Sequence, residues 1–357
     1  MEIGIWLPVY GGWLRSLDAP AGPDVAACLA IAQQAEALGF DFLYASENLL
    51  NCIHGPEEGV ADAWSILAAI AAVTKKVGLC GAVKPGFRSP FLVARMIDTV
   101  SKISERRMGM NIVCGWWKEE FELSGVDWLD HSGRYDRATE FLRSVSGLYQ
   151  PPAQVNLADR DAGDLEPGDE LSKAPSYGLD SNASPEIWIA GHSDRALQIA
   201  AEWGHCLFLN GMSDDELARR IEDVRHQANH WGREILVAAN AYVVATETTE
   251  QARQRWKAVI SRRNRKTIDF FRKVIGSSGA AAWTSLSEEQ MVDSNAGFEL
   301  GLIGSFDDIR RRIPKLESIG LNRIVCQFDD PMRDAGPFMK NVIRPLKEQR
   351  LLELASK

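Results

Sequence analysis

The chain of 357 residues lacks both a long apolar run and an excess of basic charge. No stretch approaches the roughly 18 consecutive apolar residues that a membrane-spanning helix requires. Its 40 Lys and Arg residues are outnumbered by 49 Asp and Glu residues, which leaves a formal net charge of -9. A chain of this charge is poorly suited to a nucleic-acid backbone. We therefore expect neither a membrane nor a nucleic acid among its partners.

Cysteine is scarce, and the six copies are too far apart to form a CxxC pair. In a chain of this length they are expected to be reduced and mostly buried. The six histidines show no ligand spacing with Cys or Asp, so the sequence predicts no metal site. The N-terminus lacks the basic segment and cleavage site of a signal peptide. Together these features predict a cytoplasmic protein.

The motifs of several common enzyme classes are also missing. The sequence contains no GxSxG elbow, no P-loop and no GxGxxG, so a hydrolase or a nicotinamide-binding Rossmann protein has no support. Positive charge concentrates only around Arg262, Arg263, Arg265 and Lys266. We interpret this cluster as a solvated helix face or a local anion contact.

What the sequence does contain is a regular alternation of short apolar runs with segments of helical period. The predicted strands are 3–7, 42–45, 77–83, 109–113, 187–190, 206–209, 236–245 and 323–328. The predicted helices are 24–38, 61–75, 91–105, 132–148, 194–203, 214–231, 247–271 and 306–319. Strands that are apolar on both faces and alternate with helices favour parallel pairing in a covered sheet. Eight repeats predict an α/β fold, a (β/α)8 TIM barrel, as a single domain over 1–357.

Two segments interrupt this alternation. Residues 151–185 are rich in Pro and Asp and delay the fifth strand, so we predict a surface insertion there. Residues 276–304 are polar but carry several large apolar side chains, and they precede the last barrel helix. We predict that they form a lid over the active-site mouth, with an ordinary surface loop as the alternative.

Functional residues of such a barrel lie just beyond the C-terminal ends of its strands. After the fourth strand, Asn111 can both donate to and accept from the edge of a heterocycle. Arg134 and Tyr135 lie at the start of a helix, where an anion such as a phosphate is stabilised. A Gly-x-Ser turn ending at Ser193 follows the fifth strand and offers amide and hydroxyl groups to a phosphate. A structural Asn or an ordinary capped turn would have the same sequence.

At these positions the sequence resembles the bacterial-luciferase-like flavin monooxygenases, across roughly residues 1–350. The similarity points to the branch of pyrimidine oxygenase, dimethyl sulfone monooxygenase and alkanesulfonate monooxygenase. It is carried by N-I-V-C-G-W at 111–116, E-E-F at 119–121, L-D-H-S-G-R-Y at 129–135, G-H-S-D at 191–194 and Q-F-D-D at 327–330. The resemblance implies a barrel of the bacterial luciferase type.

The resemblance also implies a two-component reaction. Reduced FMN comes from a separate NAD(P)H-dependent flavin reductase, and O2 reacts with it to give a flavin peroxide or flavin oxide that oxidises a small molecule. Cleavage of a C–S bond in a sulfone or sulfonate is the leading reaction. Oxidation or ring opening of an amide or pyrimidine-like heterocycle, or natural-product tailoring, is the alternative. Two further alternatives belong to functional classes other than the monooxygenases. They are a non-catalytic flavoprotein and an F420-dependent oxidoreductase. A homodimer or homotetramer joined through 61–75 and 91–105 is expected.

The matched positions imply roles for individual residues around the isoalloxazine. Asn111 and Glu120 are placed at the ring and ribityl chain, and with Trp116 they are the predicted catalytic residues. Ser46 and Glu47 line the ring. Relatives carry a cis peptide at the position of residues 81–83, so one is expected here.

The phosphate and the water-excluding wall are assigned in the same way. The resemblance places Arg134, Tyr135 and Ser193 at the 5′-phosphate, with Gly191 and His192 as further cofactor ligands. A dry, apolar mouth protects reactive oxygen species from water. The residues expected to form that wall are Trp13, Trp64, Trp116 and Trp117.

Overall fold

The computed structural model describes residues 1–149, 178–278, 287–293 and 295–355. Eight parallel strands close into a barrel in the order β1-β10-β7-β6-β5-β4-β3-β2, which confirms the predicted fold. The barrel strands are β1 (Glu2–Trp6), β2 (Phe42–Ala45), β3 (Gly78–Val83), β4 (Met108–Val113), β5 (Glu186–Ala190), β6 (Cys206–Leu209), β7 (Leu236–Tyr242) and β10 (Arg323–Gln327). Two short strands, β8 (Val244–Thr246) and β9 (Ile303–Ser305), pair with each other outside the barrel.

Helices cover the outside of the barrel. They are α1 (Val25–Leu38), α2 (Ala63–Val73), α3 (Pro90–Ile103), α4 (Lys118–Leu123), α5 (His131–Leu148), α6 (Asp194–Trp203), α7 (Asp214–His230), α8 (Thr249–Ser261), α9 (Arg265–Ser278), α10 (Phe306–Ile319), α11 (Pro331–Phe338) and α12 (Arg344–Ala355). None of the described helices is both long and apolar enough to cross a membrane.

Local sequence explains where several helices begin and end. Ser89 accepts a hydrogen bond from the amide of Leu92, and Pro90 occupies the first turn of α3, where its missing N–H is not needed. Ser305 and Asp308 form a reciprocal capping box at the start of α10. Gly39 ends α1 in the left-handed region at φ 86°, a conformation that favours glycine.

Two of the predicted elements are wrong in extent. The predicted helix over 247–271 is two helices, because the chain turns at residues 262–264 and pairs there with the loop that follows β1. The predicted strand over 236–245 leaves the barrel after Tyr242, since residues 244–246 pair with β9 instead of a barrel strand. Helices α4, α11 and α12 were not predicted.

The predicted insertion and lid lie partly outside the described residues. Of the insertion, 151–177 is outside and a short 3-10 turn, Ser181–Ala183, is described. Of the lid, 279–286 and 294 are outside. The remainder includes 3-10 turns at Gln290–Val292 and Gly297–Leu300, and it lies against the barrel, because the amide of Gly211 donates to the carbonyl of Asn295 at 3.1 Å.

The cysteines and the basic cluster are explained by their surroundings. All six cysteines are free and buried, as predicted. In the basic cluster, Arg262 forms an ion pair with Asp18, and Arg263 and Arg265 contact Glu288 at 2.6 and 3.4 Å. These three arginines are thus paired with acidic side chains of the same chain.

Candidate active site

A pocket of about 730 Å³ opens at the C-terminal ends of the barrel strands. Residues that directly follow five consecutive barrel strands line it, namely Ser46, Lys84, Cys114, Gly191 and Asn210. The loop after β1 and the described part of the predicted lid complete the wall. Because parallel strands bring these chain positions together, residues far apart in sequence share one cavity.

The polar end of the pocket is formed by the starts of α5, α6 and α7. Arg134 from α5 donates to the carbonyl of Leu129 at 2.7 Å and lies over the ring of Trp128 at 4.1 Å. Arg220 reaches the same cavity from α7 and lies 3.7 Å from the carboxylate of Asp194. Two guanidinium groups therefore face one end of the cavity.

Ser193 and Tyr135 connect α6 to α5 at this end. The Ser193 hydroxyl donates to the Tyr135 hydroxyl at 2.9 Å, and it accepts from the amide of Ala196 at 3.2 Å as the N-cap of α6. Gly191, at φ 147°, allows this close approach, because a Cβ there would lie 2.8 Å from the Ala196 Cβ. The residues predicted to hold a phosphate are thus brought together. Asp130 caps α5, since its side chain accepts from the amide of Gly133 at 2.8 Å.

His192 lies in the same turn and is neutral. Its Nε2 accepts from the amide of Asn210 at 2.9 Å, which places its proton on Nδ1. Burial, and to a smaller extent the positive charge of Arg220, lower the pKa of His192 to about 4. His192 therefore offers a donor to the pocket at neutral pH without adding charge.

The opposite end of the pocket is aromatic and almost completely buried. Trp6 contacts Trp13 and Tyr44 with ring centroids 4.9 Å apart in both pairs, and Tyr44 contacts Phe208 at 5.2 Å. Tyr10 packs edge-on against Trp13 at 5.6 Å. This aromatic end is a wall of the kind that excludes water.

Of the four tryptophans expected to form this wall, the structure brings Trp13 and Trp116 to the pocket. Trp117 is buried beside Trp116, with ring centroids 5.8 Å apart, but it does not line the cavity. Trp64 lies behind β3, where its Nε1 donates to the carbonyl of Ala82 at 3.0 Å.

Ser46 and Glu47, which follow β2, both line the pocket. The Ser46 hydroxyl accepts from Nε1 of Trp6 at 3.0 Å. The Glu47 carboxylate accepts from the amide of Lys84 at 2.7 Å and forms an ion pair with Arg88. Ser46 thus orients the aromatic end, while Glu47 connects β2 to the loop that follows β3.

Asn111 is completely buried in β4 and does not line the pocket itself. Its Nδ2 donates to the hydroxyl of Tyr44 at 2.8 Å, and Tyr44 does line the pocket. Its Oδ1 has no hydrogen-bond partner among the described residues. A buried acceptor without a donor is unfavourable, so Asn111 lies one side chain behind the cavity with bonding capacity left over.

Glu120 is also buried and does not line the pocket. Its carboxylate accepts from the amides of Leu49 and Leu50 at 2.8 and 3.2 Å and forms an ion pair with Lys84. Lys84, equally buried, also donates to the side chain of Asn48 and lines the pocket. Glu120 therefore reaches the cavity through Lys84.

The expected cis peptide at residues 81–83 is not found, since every described peptide bond is trans. Gly81 and Ala82 pair in regular register with Met110 and Asn111, and an extended trans backbone satisfies that pairing. No group of three potential metal ligands occurs among the described residues.

Sequence reasoning missed several pocket residues. Lys84 immediately follows the third strand, so the rule that strand ends carry function would have found it. Arg15 lies in a loop and Arg220 in the middle of a helix, and no local motif marks either of them. Only the folded chain brings them to the cavity.

A closed parallel barrel with a deep pocket at its C-terminal face defines the class of (β/α)8 enzymes. The family model described as luciferase-like monooxygenase matches residues 1–323. The chain therefore belongs to the luciferase-like monooxygenase family, and it is an enzyme.

Similar proteins cover nearly the whole chain. A protein from Pseudomonas putida named FMNH(2)-dependent dimethylsulfone monooxygenase is 28% identical over 366 residues, which covers 99% of this chain and 98% of that protein. Pyrimidine monooxygenase RutA from Allorhizobium ampelinum is 26% identical over 362 residues, with 96% of both chains covered. The crystal structure of long-chain alkane monooxygenase LadA matches with a TM-score of 0.80 at 18% identity, over 98% of this chain and 91% of that one.

Proposed function

We propose that this protein is an FMNH2-dependent monooxygenase that receives reduced FMN from a separate flavin reductase and uses O2 to oxidise a small organic molecule. The observation that carries the proposal is that one pocket has two guanidinium groups near helix starts and a cluster of packed aromatic rings in its wall. Relatives named as FMNH(2)-dependent monooxygenases support it.

The residues of the polar end fit the phosphate of FMN. Arg134 and Arg220 supply positive charge, and Ser193 and Tyr135 supply hydroxyl groups next to the start of α6. An anion at a helix N-terminus is stabilised by the free amides and by the helix dipole. The glycine at position 191 keeps this surface free of a side chain. These residues would therefore hold the phosphate.

The aromatic end fits a flat, apolar ring system. Aromatic side chains line it, and Asn111 keeps an unused acceptor directly behind the Tyr44 hydroxyl. A buried acceptor of this kind can be satisfied when the Tyr44 hydroxyl reorients towards it upon ligand binding. We therefore propose Asn111 as a positioning residue that acts through Tyr44, with Glu120 in the same role through Lys84.

When bound, reduced FMN supplies the electrons that activate O2. The protein binds and orients the cofactor through Arg134, Tyr135 and Ser193. Trp6, Trp13 and Trp116 exclude water from the reacting centre, which limits loss of oxidising equivalents as H2O2. Lys84 holds a positive charge at the wall, where negative charge that develops in the pocket is stabilised.

Within this class we propose cleavage of a C–S bond in a sulfone or sulfonate as the reaction. The support is the similarity to proteins named dimethylsulfone monooxygenase. Oxidation of an amide or pyrimidine-like heterocycle is the second candidate, and similarity to pyrimidine monooxygenase RutA favours it.

The test supplies the purified protein with FMN, a flavin reductase, NADH and O2, and then measures sulfite release from sulfonates and sulfinate release from sulfones beside oxidation of uracil. We expect sulfite or sulfinate, and we expect no product when the reductase is omitted. Protein that fails to bind FMN in a fluorescence titration contradicts the proposed function.

Hydrogen exchange in 287–293 should slow when FMN and substrate are present, because we propose that the lid orders over the filled pocket.

We also propose that the protein is a homodimer or homotetramer. Val73 on α2 and Phe91, Leu92 and Ile103 on α3 are between 36% and 48% exposed, which leaves apolar side chains in water on adjacent helices. Light scattering at micromolar concentration should give a mass at least twice that of the chain. A monomer would contradict this proposal.

A further inference from the structure

The loop after β1 folds over the aromatic end of the pocket and is tied to the lid. Within it, the amide of Gly12 donates to the carbonyl of Pro20 at 2.7 Å. Leu14 pairs with Asp293 and Ser16 pairs with Arg263 in isolated bridges. These contacts bring Trp13 and Arg15, two residues of one loop, to the wall of the cavity.

Arg15 is a fully buried cation with an unused donor. Two of its terminal N–H groups donate to the carbonyls of Met291 and Cys52, both at 3.0 Å, and Phe271 packs over the guanidinium at 3.6 Å. Its Nε–H has no partner among the described residues. Leaving such a donor unpaired is unfavourable. The arrangement is therefore incomplete without an acceptor.

The charge of Arg15 also lacks a direct counter-ion. No carboxylate lies within ion-pair distance of it in the part of the chain that the structure describes. The nearby Asp293 is occupied by the backbone, since it accepts from the amides of Asn295 and Phe298, both at 3.1 Å. Glu299, also on the cavity wall, accepts from Gln290 at 3.0 Å. The charge of Arg15 is therefore balanced by a carboxylate only at longer range, that of Asp293, and a buried charge without a direct counter-ion is costly.

Burial lowers the pKa of Arg15 to about 10 and raises the pKa of Asp293 to about 6. Arg15 is consequently still protonated at neutral pH. The positive charge is thus present on this wall at neutral pH.

Trp13 supplies a second unused donor two residues earlier in the same loop. Its indole Nε1 is buried and has no hydrogen-bond partner among the described residues, and the residue is 2% exposed. A buried indole N–H is normally paired. Two residues that each carry an unsatisfied N–H donor, one of them cationic, therefore lie next to each other on the wall of the cavity.

Donors without acceptors select a ligand that offers oxygen atoms, and the charge selects an anion. We propose that Arg15 and Trp13 bind the oxyanion head group of the substrate, which makes the substrate an organic anion, a sulfonate, sulfinate or carboxylate, with its apolar chain against the aromatic wall. The inference rests on the proposed function. A neutral sulfone offers oxygen atoms to these donors but no charge to Arg15.

The test compares ligands of matched length on the full-length protein saturated with oxidised FMN. Butanesulfonate, pentanoate and butyl methyl sulfone are titrated by calorimetry or by Trp fluorescence. We expect butanesulfonate to bind about tenfold or more tightly than the sulfone, the scale of one charge-assisted hydrogen bond. If pentanoate binds as tightly as butanesulfonate, the substrate class includes carboxylates. If it binds more weakly, the substrate class is restricted to sulfur oxyanions. Both results support an anionic substrate.

Two variants identify the residues. Arg15→Met should abolish the preference for the sulfonate over the sulfone. Trp13→Phe, which removes the unpartnered indole N–H and part of the ring that packs against Trp6 and Tyr10, should weaken both ligands several-fold. The matched control is Arg107→Met at the other end of the barrel, because Arg107 also donates to backbone carbonyls, those of Ser104 and Thr74 at 2.6 and 2.9 Å. It should leave the preference unchanged.

The preference of the wild-type protein for butanesulfonate over butyl methyl sulfone tests the inference even if Arg15→Met does not fold. A sulfone that binds as tightly as the sulfonate, or a Trp13→Phe protein with wild-type affinities, overturns it and leaves Arg15 as a residue that only joins the loop to the lid. FMN binding without this preference overturns the inference alone. Loss of FMN binding by the wild-type protein overturns the proposed function instead.

Discussion

The two ends of the pocket differ in how their polar side chains are hydrogen-bonded. At the polar end, Ser193 and Tyr135 bond to each other, and Arg134 bonds to a backbone carbonyl, so each of these side chains has a hydrogen bond before a ligand arrives. At the aromatic end, Arg15 and Asn111 are fully buried and keep polar atoms without partners.

This difference separates recruitment from chemistry. A satisfied, cationic and partly open surface attracts a charged group at little cost to stability. A buried surface with unpaired polar atoms gains the most interaction energy when a ligand supplies the missing partners. Each such contact is strong because water is excluded from the site. We expect changes at the polar end to alter flavin affinity and changes near the aromatic end to alter stability and coupling.

The largest expected effect is at the buried ion pair behind the aromatic end. Glu120→Gln leaves the charge of Lys84 buried without its partner, and this should lower the free energy of unfolding by about 3–5 kcal/mol. Replacing both residues, with Lys84→Met and Glu120→Gln, removes the charge but keeps an acceptor for the amides of Leu49 and Leu50, and it should restore most of that loss. Urea unfolding measures both.

The control is an exposed pair on the same helix. Lys118 and Glu122 lie 3.0 Å apart and are 46% and 54% exposed, so Glu122→Gln should cost no more than about 1 kcal/mol. If Glu120→Gln and Glu122→Gln lower the free energy of unfolding equally, the buried ion pair behind the aromatic end contributes no more to stability than an exposed pair.

Asn111→Ala tests coupling at the aromatic end. It removes the hydrogen bond to the Tyr44 hydroxyl, at about 1–3 kcal/mol, and should lower product formation tenfold or more while flavin oxidation continues. The measurement is the ratio of product to H2O2 under excess reduced FMN. Asn322→Ala is the control and should keep the wild-type ratio, because Asn322 accepts from the amide of Val237 at 2.9 Å at the opposite end of the barrel.

Arg134→Ala tests recruitment at the polar end. Loss of a charge-assisted hydrogen bond to the phosphate should weaken FMN binding by about 1–3 kcal/mol with little change in the product-to-H2O2 ratio. Arg137, one turn later on α5, donates to the carbonyl of Asp127 and does not line the pocket. Fluorescence titration should give wild-type affinity for Arg137→Ala. Wild-type affinity for Arg134→Ala as well would place the phosphate elsewhere.

The smallest expected effect is the pH dependence at His192. The folded protein protonates it only near pH 4, whereas the unfolded chain does so near its ordinary value of 6.5. Its contribution to stability is therefore complete above pH 6.5 and is lost as the pH falls towards 4. Urea unfolding at pH 7.5 and 5.0 should show a loss of about 2 kcal/mol that His192→Asn lacks. If His192→Asn loses as much free energy of unfolding between pH 7.5 and 5.0 as the wild-type protein, the pH dependence comes from other groups.

Most of the barrel was predictable from sequence, because each strand is a local apolar run. All eight predicted barrel strands occur, and the errors fall where distant segments meet. The break at 262–264 depends on pairing with Ser16, and the end of β7 depends on pairing between β8 and β9. Neither partner is marked in the local sequence.

The candidate site divides in the same way. At the polar end, Arg134, Tyr135 and Ser193 lie in short motifs next to helix starts, where the chemistry of a cap and of an anion site is local, so the sequence by itself marked them. Arg220, inside α7, is marked by no such motif. Only the tertiary structure decided that Asn111 and Glu120 lie behind the cavity and that Arg15 enters it. Burial and the absence of an acceptor are properties of the surroundings of a side chain, and those surroundings come from chain segments as much as 276 residues away.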